Sequence, residues 1–176
     1  MTSILLYIFY IVIIVSIYEI IHGIIRQRNR CKLYKLAEQQ SRNVKKKLLV
    51  VGDPYSGHGT KFYSLFMDNY GCGDITVDLT GAPMCPTSYK VDILTYLRDQ
   101  PDNSLVIFIS CVLEYVDDID AVISEIYRVA GSVDNIFITT VNKYSLSAYF
   151  YNDKYSKSKY IIYAPPEYNS IRYVRI

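Results

Sequence analysis

The chain has 176 residues, 51% of them hydrophobic, and its 19 Lys and Arg residues against 17 Asp and Glu leave a formal net charge of +2. This length allows one hydrophobic core and one appended segment. The small net charge gives no indication of nucleic acid binding, and the four cysteines lack the C-x-x-C pairs or His spacing that predict a metal or haem site.

The first predicted element is an apolar helix over residues 4–25. A helix of that length extends about 33 Å, which is enough to cross a bilayer. The segment has neither the basic start nor the small cleavage-site residues of a secretory signal peptide. We therefore expect residues 1–25 to be a transmembrane anchor that contacts the membrane through residues 4–25. Glu19 and His22 lie three residues apart on one face of this helix, in its C-terminal half. An ionisable pair in a membrane can mark a proton path, but local pairing near the membrane surface is the simpler interpretation.

Basic residues follow this anchor, and none precedes it. They lie within a few helical turns of its end: Arg26, Arg28, Arg30, Lys32 and Lys35. The positive-inside rule then predicts a single-pass protein whose C-terminal domain is cytosolic. We expect residues 26–46 to be a basic juxtamembrane stalk. Because cytosolic thiols stay reduced, disulfides are not expected.

An α/β domain is predicted over residues 47–176. Its first strand, 47–51, is a buried apolar run that ends at a glycine-rich turn. A helix over 60–70 follows and carries apolar side chains on one side: Phe62, Leu65 and Phe66. A strand, a turn with few side chains and a helix N-terminus together let backbone amides approach a nucleotide-like ligand closely.

Short apolar runs then alternate with amphipathic stretches, which predicts a mostly parallel, Rossmann-like sheet with helices on both faces. The remaining predicted elements are strands 74–79 and 89–93, a helical turn 94–98, strand 105–110, helix 116–130 ended by Gly131, strand 135–141, a short helix 144–151 and strands 160–164 and 171–176. We expect the last two strands to form a C-terminal antiparallel pair.

Polar residues follow four of the predicted strands at the point where each strand ends. They are the turn from Gly52 to Gly59 after the first strand, Asp78 after the second, Asp92 near the end of the third and Ser110 at the end of the fourth. In an open parallel sheet, ligands bind beyond the carboxyl ends of the strands, where the strand order reverses. The sequence therefore predicts one crevice that these residues share.

The order of these segments resembles the class I S-adenosylmethionine-dependent methyltransferases, from about Lys47 to the C-terminus. The most specific match is the run from Asn103 to Asp118, continued by 124–129. It is similar to the family's fourth strand, its Leu-Glu-His-Val-like segment and the following helix that ends in Glu-x-x-Arg-Val. The resemblance implies a methyltransferase-type fold.

The same resemblance implies S-adenosylmethionine as the cofactor and gives roles to the residues of the crevice. The glycine-rich loop, here Gly52, Asp53, Gly57 and Gly59, would approach the cofactor. Asp78 would bind the ribose hydroxyls, Asp92 with the neighbouring Ile93 would contact the adenine, and Ser110 would lie at the same crevice. No catalytic residue is assigned, and no metal is expected. We expect Asp78 and Asp92 to be the best binding candidates, because an acid at the end of a strand has little structural purpose.

Three features depart from the family's pattern. Val50 occupies the position, two residues before the first glycine, where an acidic residue usually holds the cofactor's amino group. Two roles are open for Asp53: it replaces that contact, or it caps the helix or the turn. The loop contains Pro54 and Tyr55, and the helix between the second and third strands is replaced by residues 81–88.

Two other nucleotide motifs fit the loop less well. Gly52 and Gly57 have the G-x-x-x-x-G spacing of a phosphate-binding loop, but His58 and Gly59 follow in place of Lys and Ser or Thr. The G-x-G-x-x-G fingerprint of NAD-binding proteins is absent from this turn. We therefore expect a membrane-anchored methyltransferase-like protein with an unknown acceptor, either a small molecule or a membrane-associated one. The alternative is a catalytically inactive interaction or scaffold module with the same fold.

Overall fold

The computed structural model describes residues 2–56, 58–139, 160–163 and 172–175. Its elements are α1 (Thr2–Val44), β1 (Lys47–Val51), α2 (His58–Tyr63), β2 (Ile75–Asp78), β3 (Ser88–Lys90), α3 (Ile93–Arg98), β4 (Leu105–Ser110), α4 (Ile119–Ala130), β5 (Ile136–Thr139), β6 (Tyr160–Tyr163) and β7 (Arg172–Arg175).

Five strands form one sheet in the order β3-β2-β1-β4-β5, and every pair in it is parallel. The chain builds β2 and β3 on one side of β1 and then returns to build β4 and β5 on the other side. The strand order therefore reverses between β1 and β4, where open α/β sheets bind ligands. An N-terminal apolar helix and a parallel sheet of this kind are compatible with the predicted Rossmann-like fold.

The expectation of a C-terminal antiparallel pair within this sheet is wrong, because the five-stranded sheet is entirely parallel. Strands β6 and β7 form an antiparallel ladder with each other in a separate two-stranded sheet. The sequence pattern predicted two strands here, but it carried no information on whether they join the five-stranded sheet or form one of their own. The predicted short helix over 144–151 lies outside the described residues.

The two faces of the sheet are covered by different helices. Alternate residues of β1 and β4, such as Leu49 and Ile107, pack with α3 and α4 in one apolar cluster. The intervening residues, such as Val50 and Phe108, pack with α1 in a second cluster. This alternation follows from the two-residue period of a strand. Both faces are buried, which explains why β1 and β4 are continuous apolar runs.

Helix α1 is continuous over 43 residues and changes its surroundings along its length. From Ile4 to Ile21 its large apolar side chains are exposed. Beyond that point, buried residues recur every three or four positions: Gln27, Arg30, Leu33, Ala37 and Ser41. That spacing marks one helix face. The segment 26–46, predicted as a stalk, therefore contributes a helix to the core of the domain.

Among the described residues, α1 is the helix that is long and apolar enough to cross a membrane, and its most apolar stretch is not buried in the protein. The exposed stretch from Ile4 to Ile21 rises about 27 Å as a helix, close to the thickness of a hydrocarbon core.

Helix α2 ends at Tyr63, several residues earlier than the predicted helix 60–70. The following residues are drawn to α1, where the Gln27 side chain donates to the Asp68 carbonyl at 3.1 Å and to Asn69 Oδ1 at 3.0 Å. Tyr70 is buried beside α1 rather than on a helix surface. Tertiary contacts thus override the local helical pattern.

Helix α4 also begins later than predicted, because the Asp118 side chain accepts from the Ala121 amide and caps it. A short 3₁₀ turn over Leu113–Tyr115 precedes this cap. The helix ends at Gly131, as predicted, with a left-handed backbone.

The structure contains a disulfide between Cys72 and Cys85, with their Cα atoms 5.5 Å apart. The expectation that disulfides are absent is therefore wrong. Cys72 lies just before β2 and Cys85 in the connection from β2 to β3, so the fold brings together two cysteines that the sequence separates by 13 positions. This bond ties the connection over residues 81–88, which the sequence predicted to lack a helix, to the segment just before β2.

Replacing Leu33 by Ala tests whether α1 belongs to the folded domain. Leu33 is buried against the sheet, so we expect the free energy of unfolding to fall by about 2–5 kcal/mol. The measurement is denaturant unfolding of the full chain in detergent, followed by circular dichroism. Lys32→Ala, on the exposed side of the same helix, is the matched control and should change stability by less than about 0.5 kcal/mol. Equal effects of both variants would mean that this segment is a separate stalk.

Candidate functional site

The bend after β1 is held tightly against its neighbours. Gly52 has a φ of 98°, a conformation that favours glycine, and its amide donates to the Val77 carbonyl at 2.8 Å. A side chain at this position would lie 2.9 Å from Val112 Cγ2. The bend after β1 thus lies directly beside the segment after β4, at the point where the strand order reverses.

Asp78 links this bend to the end of β2. Its Oδ2 accepts from the Asp53 amide at 3.1 Å, and its Oδ1 accepts from the Thr80 amide at 2.7 Å and the Thr80 hydroxyl at 2.6 Å. The expectation that this acid has little structural purpose is wrong. A carboxylate has about four acceptor positions. Three are used, so about one remains on Oδ2 for a ligand hydroxyl.

Asp53 caps its own turn. Its Oδ1 accepts from the Tyr55 amide at 2.9 Å, and its carbonyl accepts from the Ser56 amide at 3.2 Å. Of the two roles considered for this residue, the structure contains the turn cap. Val50 is buried against α1, so the position where the family has an acid belongs to the core. Pro54 is buried, whereas Tyr55 is exposed and does not fill the bend.

Asp92 lies next to the end of β2 and begins α3. Its Oδ1 accepts from the Leu94 amide at 2.9 Å and the Thr95 amide at 3.2 Å, so it is the N-cap of that helix. The expectation that this acid has little structural purpose is therefore also wrong. No described residue donates to its Oδ2, and the side chain is exposed. That oxygen can accept a hydrogen bond from a ligand amino group.

The other predicted site residues have different surroundings. Ile93 is buried in the apolar cluster beneath α3 and α4. Gly57 lies outside the described residues, and Gly59 lies within α2. The amide of Val91 donates to the Asp78 carbonyl at 3.3 Å, which brings Asp78 and Asp92 to the same edge of the sheet.

Ser110 ends β4 on the face covered by α1. Its hydroxyl accepts from Arg30 Nε at 2.8 Å and from the Thr139 hydroxyl at 3.3 Å. The Arg30 guanidinium also lies 5.4 Å from the centre of the Tyr70 ring. Ser110 therefore belongs to a buried polar cluster with Arg30, Tyr70 and Thr139.

This polar cluster was not predicted from the sequence. Arg30 is only 8% exposed and Tyr70 only 3%, although Arg30 had been assigned to the basic flank of the membrane anchor. The available signal was the regular spacing of Gln27, Arg30 and Leu33 on one helix face. Burial raises the pKa of Tyr70, and the neighbouring Arg30 charge partly opposes that rise.

The backbone leaves β4 through an unusual conformation. Cys111 has a φ of 54°, uncommon for a residue with a side chain, and its amide donates to the Thr139 carbonyl at 2.9 Å. This turn directs the chain back over β1, where Val112 meets Gly52. Backbone conformations of this kind concentrate at functional sites.

Helix α1 runs antiparallel to the strands and passes the carboxyl edge of the sheet on its way to the apolar span. Near the amino edge, Gln40 donates to Asn135 Oδ1 at 3.0 Å, just before β5. At the carboxyl edge, Arg30 meets Ser110. Ile21, the end of the exposed apolar stretch, lies nine residues further, or about 14 Å along the helix. The candidate site is therefore on the edge of the sheet that faces the apolar span.

No family model matches this chain, and neither a curated protein nor a solved structure matches it significantly.

Raising the pH above about 10 should destabilise the protein through one buried and two half-buried tyrosines. Burial raises the pKa of Tyr34, Tyr70 and Tyr96 above the ordinary value of 10.0. The unfolded chain then loses these protons first, so the free energy of unfolding is unaffected below pH 10 and falls as the pH rises beyond it. Urea unfolding of the full chain in detergent between pH 8 and about 11 measures this slope.

Tyr70→Phe should make the alkaline slope shallower, because one of the three phenols is gone. Tyr127→Phe removes an exposed phenol and is the control. A slope for Tyr70→Phe as steep as that of the control would mean that Tyr70 ionises as readily in the folded chain as in the unfolded one.

Proposed function

We propose that this protein is a membrane-anchored, methyltransferase-like protein that binds S-adenosylmethionine and acts on an acceptor held at the membrane. The observation that carries the proposal is the hydrogen bond from the Asp53 amide to Asp78 Oδ2. It joins the glycine bend of β1 to the acid at the end of β2, beside the point where the strand order reverses. The resemblance to methyltransferases implies that the bend and this acid bind the cofactor.

The adenosine half of the cofactor has suitable partners on this edge. Asp78 Oδ2 would accept a ribose hydroxyl, and Asp92 Oδ2 would accept from the adenine amino group. The tight bend at Gly52 would let the ligand approach the backbone. The bound cofactor would supply an electrophilic methyl group, and the protein would have to hold the acceptor in line with it. Such a reaction does not require an acid–base pair, and we assign no catalytic residue.

The position of this edge supports a membrane-held acceptor. Because α1 leaves the domain past the carboxyl ends of the strands, the edge faces the apolar span about 14 Å from its end. The interfacial layer of a bilayer is about 5–8 Å thick on each side, so a large lipid headgroup or a polar group on another membrane protein would reach this edge. A freely soluble acceptor would gain nothing from the orientation.

A catalytically inactive module is the second candidate, and two observations favour it. Three of the acceptor positions of Asp78 are already used within the protein. Val112 packs against Gly52, where the cofactor would approach the bend. In that case the fold would present a surface at the membrane without binding a cofactor.

Calorimetric titration of the full chain in nanodiscs with S-adenosylmethionine separates the two candidates. We expect saturable binding, and we expect Asp92→Ser to weaken it about tenfold or more, because a hydrogen bond to a charged oxygen is lost. Serine is itself a good N-cap, so α3 should remain folded.

Asp99→Ser is the control for that titration. It removes the same charge at the other end of the same helix, on the amino side of the sheet. If the wild-type chain does not bind at millimolar cofactor, or if both variants bind alike, the cofactor assignment fails and the inactive module stands.

The proposal also includes a cytosolic domain, because the residues after the span are basic and those before it are not. The disulfide between Cys72 and Cys85 is an argument for the opposite side, since disulfides persist in oxidising compartments. The basic flank acts when the chain inserts, so we give it precedence.

A protease-protection assay tests the orientation. A C-terminal tag should be digested by protease from the cytosolic side of sealed vesicles, and protection of the tag would place the domain on the other side. Alkylation after acid quenching and denaturation of cells tests the disulfide separately. Cys72 and Cys85 should be labelled only after reduction, and labelling without reduction would contradict the disulfide. Cys31 and Cys111, which form no disulfide, are the internal control and should be labelled without reduction.

A further inference from the structure

We propose that α2 and the turn after it insert into the surface of the same bilayer that α1 spans, through a patch formed by Phe62, Leu65 and Phe66. This inference depends on the membrane span, but not on cofactor binding. The sequence pattern predicted these side chains on one side of a helix. In the structure only Phe62 lies within α2, and the three side chains are exposed by 47%, 73% and 71% respectively.

The patch is compact and apolar. The rings of Phe62 and Phe66 pack edge to face with their centres 5.5 Å apart, and Phe62 also packs against the ring of Tyr63 at 5.3 Å. Burying such side chains is worth about 1.5–3 kcal/mol each. A patch of this kind on the surface of a soluble protein indicates a contact surface for a membrane or a partner.

The contact between α2 and α1 identifies the occupant as the bilayer. The Tyr63 hydroxyl donates to the Glu19 carbonyl at 3.4 Å. The Tyr63 ring packs so closely on Gly23 that any side chain there would collide with it. Glu19 and Gly23 lie at the end of the exposed apolar stretch of α1, where the helix leaves the hydrocarbon. The patch is therefore fixed at the level of the lipid headgroups.

The surroundings of the patch suit an interface with phospholipid. Lys61 and Arg28 are exposed beside it and on the adjacent turns of α1, where they can pair with lipid phosphates. Two further exposed apolar side chains, Leu79 and Met84, lie in the connection after β2, also at the carboxyl edge of the sheet. The side of the domain that faces the span is therefore apolar at several points.

The absence of tryptophan from the chain gives a direct test. Phe66→Trp introduces a single tryptophan, which can be excited selectively at wavelengths that the 19 tyrosines do not absorb. The position is exposed, so the fold should tolerate the change. The full chain is placed, at low protein-to-lipid ratio, in nanodiscs of mixed zwitterionic and anionic phospholipid. We expect lipids brominated near the headgroup end of the acyl chain to quench this tryptophan more strongly than lipids brominated near the methyl end, because an interfacial element is buried about 5–10 Å.

Two further variants make the outcome unambiguous. Tyr127→Trp lies exposed near the end of α4, at the amino side of the sheet, and should be quenched by aqueous acrylamide and not by brominated lipid. Phe9→Trp lies in the apolar stretch and should be quenched by brominated lipid if α1 spans the bilayer.

Each alternative outcome overturns the proposal in a distinguishable way. If Phe9→Trp is quenched by brominated lipid while Phe66→Trp behaves like Tyr127→Trp, the span stands and the docking of α2 is wrong. If Phe66→Trp is shielded from both brominated lipid and acrylamide, a protein surface such as a second copy of this chain covers the patch. If Phe9→Trp is also unquenched by lipid, the span itself fails. None of these results depends on S-adenosylmethionine.

Discussion

The packing of one face of α1 against the parallel sheet is the constraint on which the rest of the structure depends. Leu33 and Ala37 lie over Val106 and Phe108, and no other described helix covers that face. Because the same helix continues without a break into the exposed apolar stretch, its packing fixes how the sheet is oriented relative to the span. The carboxyl edge of the strands, where the candidate site lies, is thereby directed towards the exposed apolar stretch of α1. A flexible stalk would have left that orientation free.

The buried cluster of Arg30, Tyr70 and Ser110 adds polar contacts to this packing. An apolar pair in place of Arg30 and Ser110 would avoid the cost of taking a guanidinium out of water. A directional bond from Arg30 Nε to the Ser110 hydroxyl does what apolar contacts do poorly, because it specifies which turn of α1 meets the end of β4. A slip of one turn would leave the guanidinium without this acceptor in a buried site. We infer that the cluster fixes the position of α1 along the sheet more than it stabilises the fold.

The order of strands and helices was accessible from the sequence because apolar runs such as 105–110 and the 3.6-residue period of α4 are local signals. The role of residues 26–44 was not, since Arg30 and Lys35 indicated a solvated basic flank while only the spacing of Gln27, Arg30 and Leu33 indicated a buried face. The Cys72–Cys85 disulfide and the early end of α2 also depend on contacts between distant segments. The structure brings the bend after β1, Asp78 and Asp92 to one edge of the sheet, but the hydrogen bonds that Asp78 and Asp92 make within the fold could not be inferred from their positions alone.

Those duties do not by themselves decide between an active and an inactive protein. Asp92 caps α3 with one oxygen and leaves the other exposed, so capping and ligand binding do not compete there. At Asp78 the Thr80 hydroxyl occupies one acceptor position at 2.6 Å. A ribose hydroxyl that replaced it would exchange one hydroxyl-to-carboxylate bond for another, at little net cost once Thr80 rotates towards water. The bond from the Asp53 amide would remain and would keep the carboxylate aimed at the bend. The more serious obstacle is Val112 beside Gly52, because displacing a packed side chain requires the segment after β4 to move. The proposed cofactor binding would therefore depend on whether the Cys111–Val112 turn can move more than on the two acids.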